Sequence, residues 1–288
     1  MADLAILGLG AMGSRIAARA LKARLSVTVY NRNAEAAEPL VALGANLERT
    51  PRAAAAGAAV VLATVRDDAA SRAIWLDPRD GALGGLARGA VAIESSTLAP
   101  AWVEELAAMV GGRGAAFLDA PVVGSRPQAE GGQLVHLIGG EPDVLERVRP
   151  LLAAWSAAVH HVGGAGQGTF LKLAVNAVFG IQIAAWAEWL GAAQRAGLDP
   201  LKVAEIMGSL PLASPAAKAA AGSMLSGAFA PMFPVELVEK DFGYALTAAG
   251  EVTQAPLTAA AREAYLRTLQ AGFGGEHLTA VIRNYRPA

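Results

Sequence analysis

Lys172 stands in the run GTFLKLAVN, flanked by Phe170, Leu171, Leu173 and Val175. On a helix it shares a face with Gly168 and Asn176, four residues to either side. The spacing lines up a backbone position without a side chain, a cation and an amide. An apolar setting disfavours the ammonium form and draws its pKa toward neutrality, where a general acid or base works. The structural alternative is a lysine with a buried stem and its head in water; the neighbouring Asn176 favours chemistry. The stretch PMFPVELVEKDFGYAL adds a second cation, Lys240, followed by Asp241 as a group to orient it. A second ammonium close to Lys172 would depress its pKa further, or hold a cofactor or a substrate carboxylate. Glu236, Glu239, Lys240 and Asp241 read equally well as an ordinary solvated helix face, and spacing alone does not rank the two.

The N-terminal segment DLAILGLGAMGSRIAAR reads as strand, glycine turn, helix. An apolar run, Leu4 to Leu7, feeds the loop Gly8-Leu9-Gly10-Ala11-Met12-Gly13, and helix-compatible spacing continues to Leu21. In G-x-G-x-x-G the first glycine makes a tight turn, the second lets backbone approach a pyrophosphate, and the third allows helix-on-strand contact. The N–H groups at the start of the helix then face the phosphates. A second strand, SVTVY, ends in Asn31-Arg32-Asn33, with no acidic residue where an adenosine ribose would need one about 20 residues past the glycines. Arg32 offers a planar cationic fork to a 2′-phosphate, and Asn31 can donate beside it. The expected cofactor is NADP(H) in preference to NAD(H).

Two further segments place polar groups at the carboxyl ends of strands, where open α/β sheets bind ligands. Glu94-Ser95-Ser96-Thr97 follows a strand and precedes a helix entered at Ala99-Pro100, so the Thr97 hydroxyl suits either a ligand or the cap of that helix. Asp119 to Arg126, DAPVVGSR, is a strand running into a turn, where Gly124 and Ser125 can present N–H groups to a carboxylate.

Composition excludes several classes. The formal net charge of −1 over 288 residues offers no basic field for nucleic acid or an anionic membrane. With no cysteine, disulfides, thiolate nucleophiles and Cys-based metal sites are ruled out. Four histidines, of which His160 and His161 adjoin on a strand and face opposite sides, argue against a metal site. The best apolar run, Leu173 to Ala187, is broken by Asn176 and Gln182 and falls short of the roughly 20 residues of a membrane span. Asp3 stands where a signal peptide carries positive charge. The expectation is a soluble cytoplasmic protein.

Strand-like runs at Leu4 to Leu7, Val27 to Tyr30, Val60 to Thr64, Val91 to Glu94 and Ala116 to Leu118 alternate with Ala-rich helical stretches. This predicts a doubly wound, mostly parallel sheet in an α/β Rossmann-like domain. Leu134 to Ile138 and Ala157 to Val162, flanking a helix from Asp143 to Ala153, extend the same sheet. The segment GGAGQG (Gly163 to Gly168) ends the alternation, and a helix from Thr169 to about Arg195 opens an all-α second half. The expected domains are 1–162, binding the cofactor, and 163–288, serving substrate binding and dimerisation. A helix this long and apolar needs a central position or a partner subunit, so a homodimer or homotetramer is expected.

Taken together, the motifs GLGAMG (Gly8 to Gly13), SST (Ser95 to Thr97), DAPVVGS (Asp119 to Ser125), GTFLKLAVN (Gly168 to Asn176) and EKD (Glu239 to Asp241) resemble the β-hydroxyacid dehydrogenase family over essentially the whole chain. The family includes 3-hydroxyisobutyrate dehydrogenase, tartronate semialdehyde reductase and glyoxylate/succinic semialdehyde reductases. The resemblance implies hydride transfer between nicotinamide and a small β-hydroxy acid or semialdehyde. It implies Lys172 as catalytic acid/base and Asn176 as an orienting group for the substrate. Ser96, Thr97 and Lys240 would line the nicotinamide and substrate site, Val65 and Arg66 the adenosine half, and Val123, Gly124 and Ser125 the substrate carboxylate. The family commonly has Ser at the position of Val123, so this chain lacks one donor to a carboxylate, a loss on the order of 1 to 3 kcal/mol for an unpaired charged oxygen. Two alternatives remain: an imine reductase-like enzyme acting on a less polar substrate, and an NADP(H)-binding protein without turnover.

Overall fold

The computed structural model describes residues 2–250 and 252–286; Met1, Glu251, Pro287 and Ala288, which fall within the two expected domains, lie outside the described residues. The chain divides into two compact units, one ending at Lys172 and one beginning at Leu173.

The first unit is built on a nine-stranded sheet. Its strands are β1 (Ala2–Leu7), β2 (Val27–Tyr30), β3 (Asn46–Leu47), β4 (Ala58–Ala63), β5 (Val91–Glu94), β6 (Ala116–Asp119), β7 (Val122–Val123), β8 (Leu134–Gly140) and β9 (Ser156–Gly163). The spatial order is β3-β2-β1-β4-β5-β6-β8-β7, with β9 also paired to β8. From β3 through β6 all neighbours are parallel, the doubly wound order whose direction reverses between β1 and β4. The expected mostly parallel sheet is therefore present. β8 departs from it, running antiparallel to β6 and β7 and parallel to β9. A short reversal through β7 makes this possible, because antiparallel neighbours need no helical crossover.

Side chains alternate between two cores, as a sheet covered on both faces requires. Leu4, Ile6, Val60, Leu62 and Ile93 pack with Ile16, Ala17, Leu145 and Val148 on one side. Ala5, Leu7, Val61, Ala63 and Ala92 pack with Trp75, Trp102, Val103 and Leu106 on the other.

Helix Gln167–Arg195 begins in the first unit and continues into the second. It starts two residues ahead of the expected Thr169, inside the glycine segment. Helices Pro200–Ser209, Pro215–Ser226, Val235–Ala248 and Pro256–Thr268 follow. Three of these open on proline, whose missing N–H and fixed φ suit a first helical turn. Their core joins Ile183, Trp186, Leu190, Met224, Val238, Phe242, Tyr265 and Val281. Gly180 is required there, since a Cβ would lie 2.5 Å from the Phe242 ring and 3.6 Å from Tyr265.

By length and composition alone, helix Gln167–Arg195, longer than the run Leu173 to Ala187, is apolar enough to cross a membrane, with mean hydropathy 1.5 over its best window. Its residues Ile183, Trp186, Ala187 and Leu190 belong to the core of the helical unit.

Candidate active site

At the end of β1 the three glycines have separate steric reasons. Gly8 has φ +95°, and a Cβ on it would lie 2.3 Å from the Thr64 carbonyl oxygen. A Cβ on Gly13 would lie 1.9 Å from the Gly8 carbonyl oxygen and 2.7 Å from Thr64 Cγ2. Gly10 differs: a Cβ there would meet no protein atom within 4 Å. Two glycines are thus demanded by the fold, whereas the third keeps backbone bare toward open space, as a cradle for a bound pyrophosphate does. Helix Gly13–Lys22 starts at Met12 without a side-chain cap and with no acid in its first turn, which leaves its positive end to an anion. Leu9 and Ala11 complete the loop.

Asn31 latches this loop to the end of β2. Its Oδ1 accepts from Leu9 N at 3.0 Å, and its Nδ2 donates to the Asn33 carbonyl at 2.8 Å. Both ends of the amide are engaged locally, so Asn31 shapes the loop. Arg32 itself is exposed and has no ion-pair partner among the described residues.

The segment after β5 is organised by Glu94, which is fully buried. Glu94 Oε2 accepts from Ser71 Oγ (2.7 Å) and Trp75 Nε1 (2.9 Å), and Oε1 accepts from Ser96 N (3.0 Å). Burial pushes its carboxyl pKa up, against these hydrogen bonds. Ser96 Oγ in turn accepts from Val65 N at 2.7 Å, tying the loop after β4 to the loop after β5. Val65 and Thr97 are half-buried, and Arg66 is exposed with its Nε 3.9 Å from Asp67 Oδ2. Thr97 does not cap the next helix. Helix Pro100–Gly112 is preceded by Ala99 without a side-chain cap, and Ala99 N donates to Asp68 Oδ1 at 3.0 Å.

After β6, Asp119 is also fully buried. Its Oδ1 accepts from Gly166 N (2.9 Å) and its Oδ2 from Thr169 N (2.7 Å), so it holds the start of the helix that carries Lys172. Desolvation raises its pKa, against those two amides. Glycines let the backbone close around it: a Cβ on Gly139 would lie 2.2 Å from Asp119 Oδ1, and one on Gly168 2.4 Å from the Leu137 carbonyl oxygen. Gly168 is therefore a glycine of the long helix that lets it pack against β8. The turn beyond runs through half-buried Val123 and exposed Gly124 (φ +130°) to Ser125, whose N donates to Gln128 Oε1 at 3.0 Å. Arg126, Pro127 and Gln128 begin the short helix Arg126–Gly131. Ser125 Oγ is buried with no hydrogen-bond partner.

His136 carried no sequence signal. It is buried on β8, with one ring nitrogen 2.9 Å from the Ala120 carbonyl and the other accepting from Trp155 Nε1 at 3.0 Å. Burial lowers its pKa to about 4, so the ring is neutral, with Nδ1–H donating to Ala120. His161 Nε2 lies 2.8 Å from the Gly140 carbonyl. Among the described residues, no group of three or more His, Asp or Glu gathers to hold a metal.

Lys172 is buried at 9% exposure, and Asn176 follows one turn later on the same helix at 7%. Within the helical unit, Asn176 Nδ2 donates to Asp241 Oδ2 at 2.6 Å. Lys240 Nζ lies 2.9 Å from Asp241 Oδ1 and 4.7 Å from the centre of the Tyr244 ring. Asp241 is buried at 3% exposure, so the Lys240-Asp241 pair is no solvated face. Glu239 of the same helix instead pairs with Arg262 at 2.6 Å.

A doubly wound sheet with a glycine loop at its first turn, followed by a helical unit, defines a dinucleotide-dependent oxidoreductase. Residues 3–163 match the NAD binding domain of 6-phosphogluconate dehydrogenase, and residues 166–285 the NAD-binding model of NADP-dependent 3-hydroxyisobutyrate dehydrogenase. Glyoxylate/succinic semialdehyde reductase 2 of Arabidopsis thaliana is 32% identical over 287 residues, covering 99% of this chain and 80% of the relative. The NAD-dependent L-serine dehydrogenase of Pseudomonas aeruginosa is 30% identical, covering 100% of this chain and 99% of that one. Among solved structures, Mycobacterium tuberculosis 3-hydroxyisobutyrate dehydrogenase with L-serine superposes with a TM-score of 0.89 at 28% identity, covering all of both chains. The chain belongs to the β-hydroxyacid dehydrogenase family, and is an NAD(P)-binding dehydrogenase/reductase acting on CH–OH groups.

Proposed function

We propose that the protein is an NADP(H)-dependent oxidoreductase of a small β-hydroxy acid or semialdehyde, with Lys172 as its general acid/base. The observation that carries this reading is the burial of Lys172 one turn before Asn176 on a helix whose start is held by Asp119. When bound, the dinucleotide supplies or accepts the hydride. The loop Gly8 to Gly13 and the uncapped helix behind it fit its pyrophosphate, because only Gly10 of the three glycines faces open space. Arg32 fits the 2′-phosphate, being an exposed planar cation with no carboxylate attached. Val65, Arg66 and Thr97 follow the carboxyl ends of β4 and β5, the strands next along the sheet from β1.

In the reducing direction Lys172 Nζ delivers a proton to the oxygen that develops negative charge, and in the oxidising direction it takes that proton from the hydroxyl. Such proton transfer typically contributes about 10²- to 10⁴-fold. Asn176 and Ser96 orient the substrate, and Lys240 with the turn Val123-Gly124-Ser125 holds its acid end. The apolar Val123 favours a substrate that places fewer acceptors in that turn. Helix Gln167–Arg195 exposes Val178 at 70% and Trp189 at 62%, which supports a homodimer or homotetramer built on it. The protein acts in the cytoplasm.

The test is NADPH oxidation against glyoxylate, succinic semialdehyde, tartronate semialdehyde and a cyclic imine. Turnover of a semialdehyde or glyoxylate is expected. Turnover of the imine alone favours an imine reductase, and turnover of none favours a protein that binds NADP(H) without catalysis. Lys172→Ala is expected to abolish turnover while NADPH still binds, and near-normal kcat in that variant removes Lys172 from its role.

A further inference from the structure

Asn176 and Asp241 are 65 residues apart in sequence and joined by a 2.6 Å hydrogen bond between two buried side chains. A carboxylate only accepts, whereas a carboxamide has one donating and one accepting end. Asp241 therefore dictates which way the Asn176 amide faces: Nδ2 toward the carboxylate and Oδ1 away from it. The same carboxylate holds the Lys240 ammonium at 2.9 Å through its other oxygen, as an ion pair without hydrogen-bond geometry. One buried acid thus constrains two groups, and the amide it constrains is one helical turn from Lys172.

We propose that Asp241 is a positioning residue of the active site, which locks the Asn176 amide so that Oδ1 is presented to the substrate as a hydrogen-bond acceptor. The proposal rests on the function proposed above. Packing alone would be served by any pair that hydrogen-bonds across this gap. Positioning requires the negative charge at 241 and the amide at 176, because reversing them would put a carboxylate where the substrate meets Asn176.

That difference sets the experiment. In Asp241→Asn the amide at 176 faces a neighbour that can donate or accept, so its orientation is no longer dictated. With whichever carbonyl the wild type reduces, kcat/KM is expected to fall by about 10²-fold, the scale of a displaced reactive geometry, with the protein still folded and NADPH still bound. The exchanged pair Asn176→Asp/Asp241→Asn keeps a hydrogen bond and is expected to match the wild-type Tm without regaining kcat/KM. The Asn176 side-chain amide pair, followed by ¹⁵N-edited NMR of the unliganded protein, is expected to be protected from solvent exchange in the wild type and to lose that protection in Asp241→Ala. Unchanged kcat and KM in Asp241→Asn, or full recovery of kcat/KM in the exchanged pair, overturns the proposal. So does an Asn176 amide signal indifferent to Asp241→Ala. If the wild type reduces none of the carbonyls, the functional reading falls first, and the amide signal still decides whether Asp241 locks Asn176.

Discussion

Glu94 and Asp119 are register partners at the ends of the adjacent parallel strands β5 and β6. Both are fully buried, and each binds the backbone of a segment that carries site residues. Glu94 fixes Ser96 in the loop after its own strand, whereas Asp119 reaches 50 residues on to Thr169 and the start of the long helix. Desolvation pushes both pKa values up, so the fold carries an electrostatic cost at the point where its loops are set.

Removing the Asp119 carboxylate should therefore unsettle the helix before anything else. In Asp119→Ala the buried Gly166 and Thr169 amides lose their acceptors, at about 1 to 3 kcal/mol for each unsatisfied group. Urea unfolding should show a loss of about 2 to 6 kcal/mol, with Asp119→Asn losing less because its amide oxygen still accepts. Equal stabilities for wild type and Asp119→Ala would mean that the helix start is held by other contacts.

The three glycines of the loop should separate into two behaviours. Gly8→Ala and Gly13→Ala bring a Cβ onto backbone carbonyls, and Gly8 also has φ +95°. Each should cost about 1 to 3 kcal/mol or more of stability. Gly10→Ala meets no protein atom and should leave Tm near wild type while weakening NADPH binding, measured by fluorescence titration. A Gly10→Ala protein that binds NADPH normally would show that the bare backbone serves no pyrophosphate.

Arg32 should decide between the two dinucleotides. Arg32→Ala is expected to raise the Kd for NADPH about 10- to 10²-fold, the loss of a charge-assisted contact to phosphate, and to leave NADH nearly unaffected. A wild type that uses NADH at least as well as NADPH, or an unchanged preference in the variant, removes Arg32 from this role.

His136 should mark the acid limb of stability. Its folded pKa of about 4 lies below its ordinary value of 6.5, so the neutral ring contributes stability that is complete above pH 6.5. That contribution is lost as pH falls from about 6.5 to 4, reaching about 3 kcal/mol. Glu94 and Asp119 act with the opposite sign, since their raised values favour the protonated fold and cost stability as pH rises. Comparing chemical denaturation of wild type and His136→Gln between pH 4 and 7 isolates the histidine. The wild type should lose its advantage toward pH 4, and a gap independent of pH would mean that His136 does not titrate with folding.

Much of this architecture was legible because its signals are local. The apolar runs of β1, β2, β4, β5 and β6 and the glycine spacing follow from rules that act over a few residues, as does the turn-by-turn alignment of Lys172 with Asn176. The same rules left Thr97 open between a ligand contact and a helix cap; in space Ala99 occupies the cap position of helix Pro100–Gly112. They also gave Asp241 to Lys240 alone, since its second partner, Asn176, lies on another helix.

The sequence by itself determined the sheet's longer strands, the dinucleotide loop and the line of Lys172 and Asn176, since each depends on neighbours within a turn or a strand, whereas the two-residue strands β3 and β7 carried no such signal. Only the tertiary structure decided what fixes them. The acceptors of Glu94 and Asp119, the neutral ring of His136 and the orientation of the Asn176 amide all arise from buried hydrogen bonds between residues 16 to 65 positions apart, or nearer ones whose partners burial selects. Such bonds are required by desolvation, which acts on positions in space and leaves no periodicity along the chain.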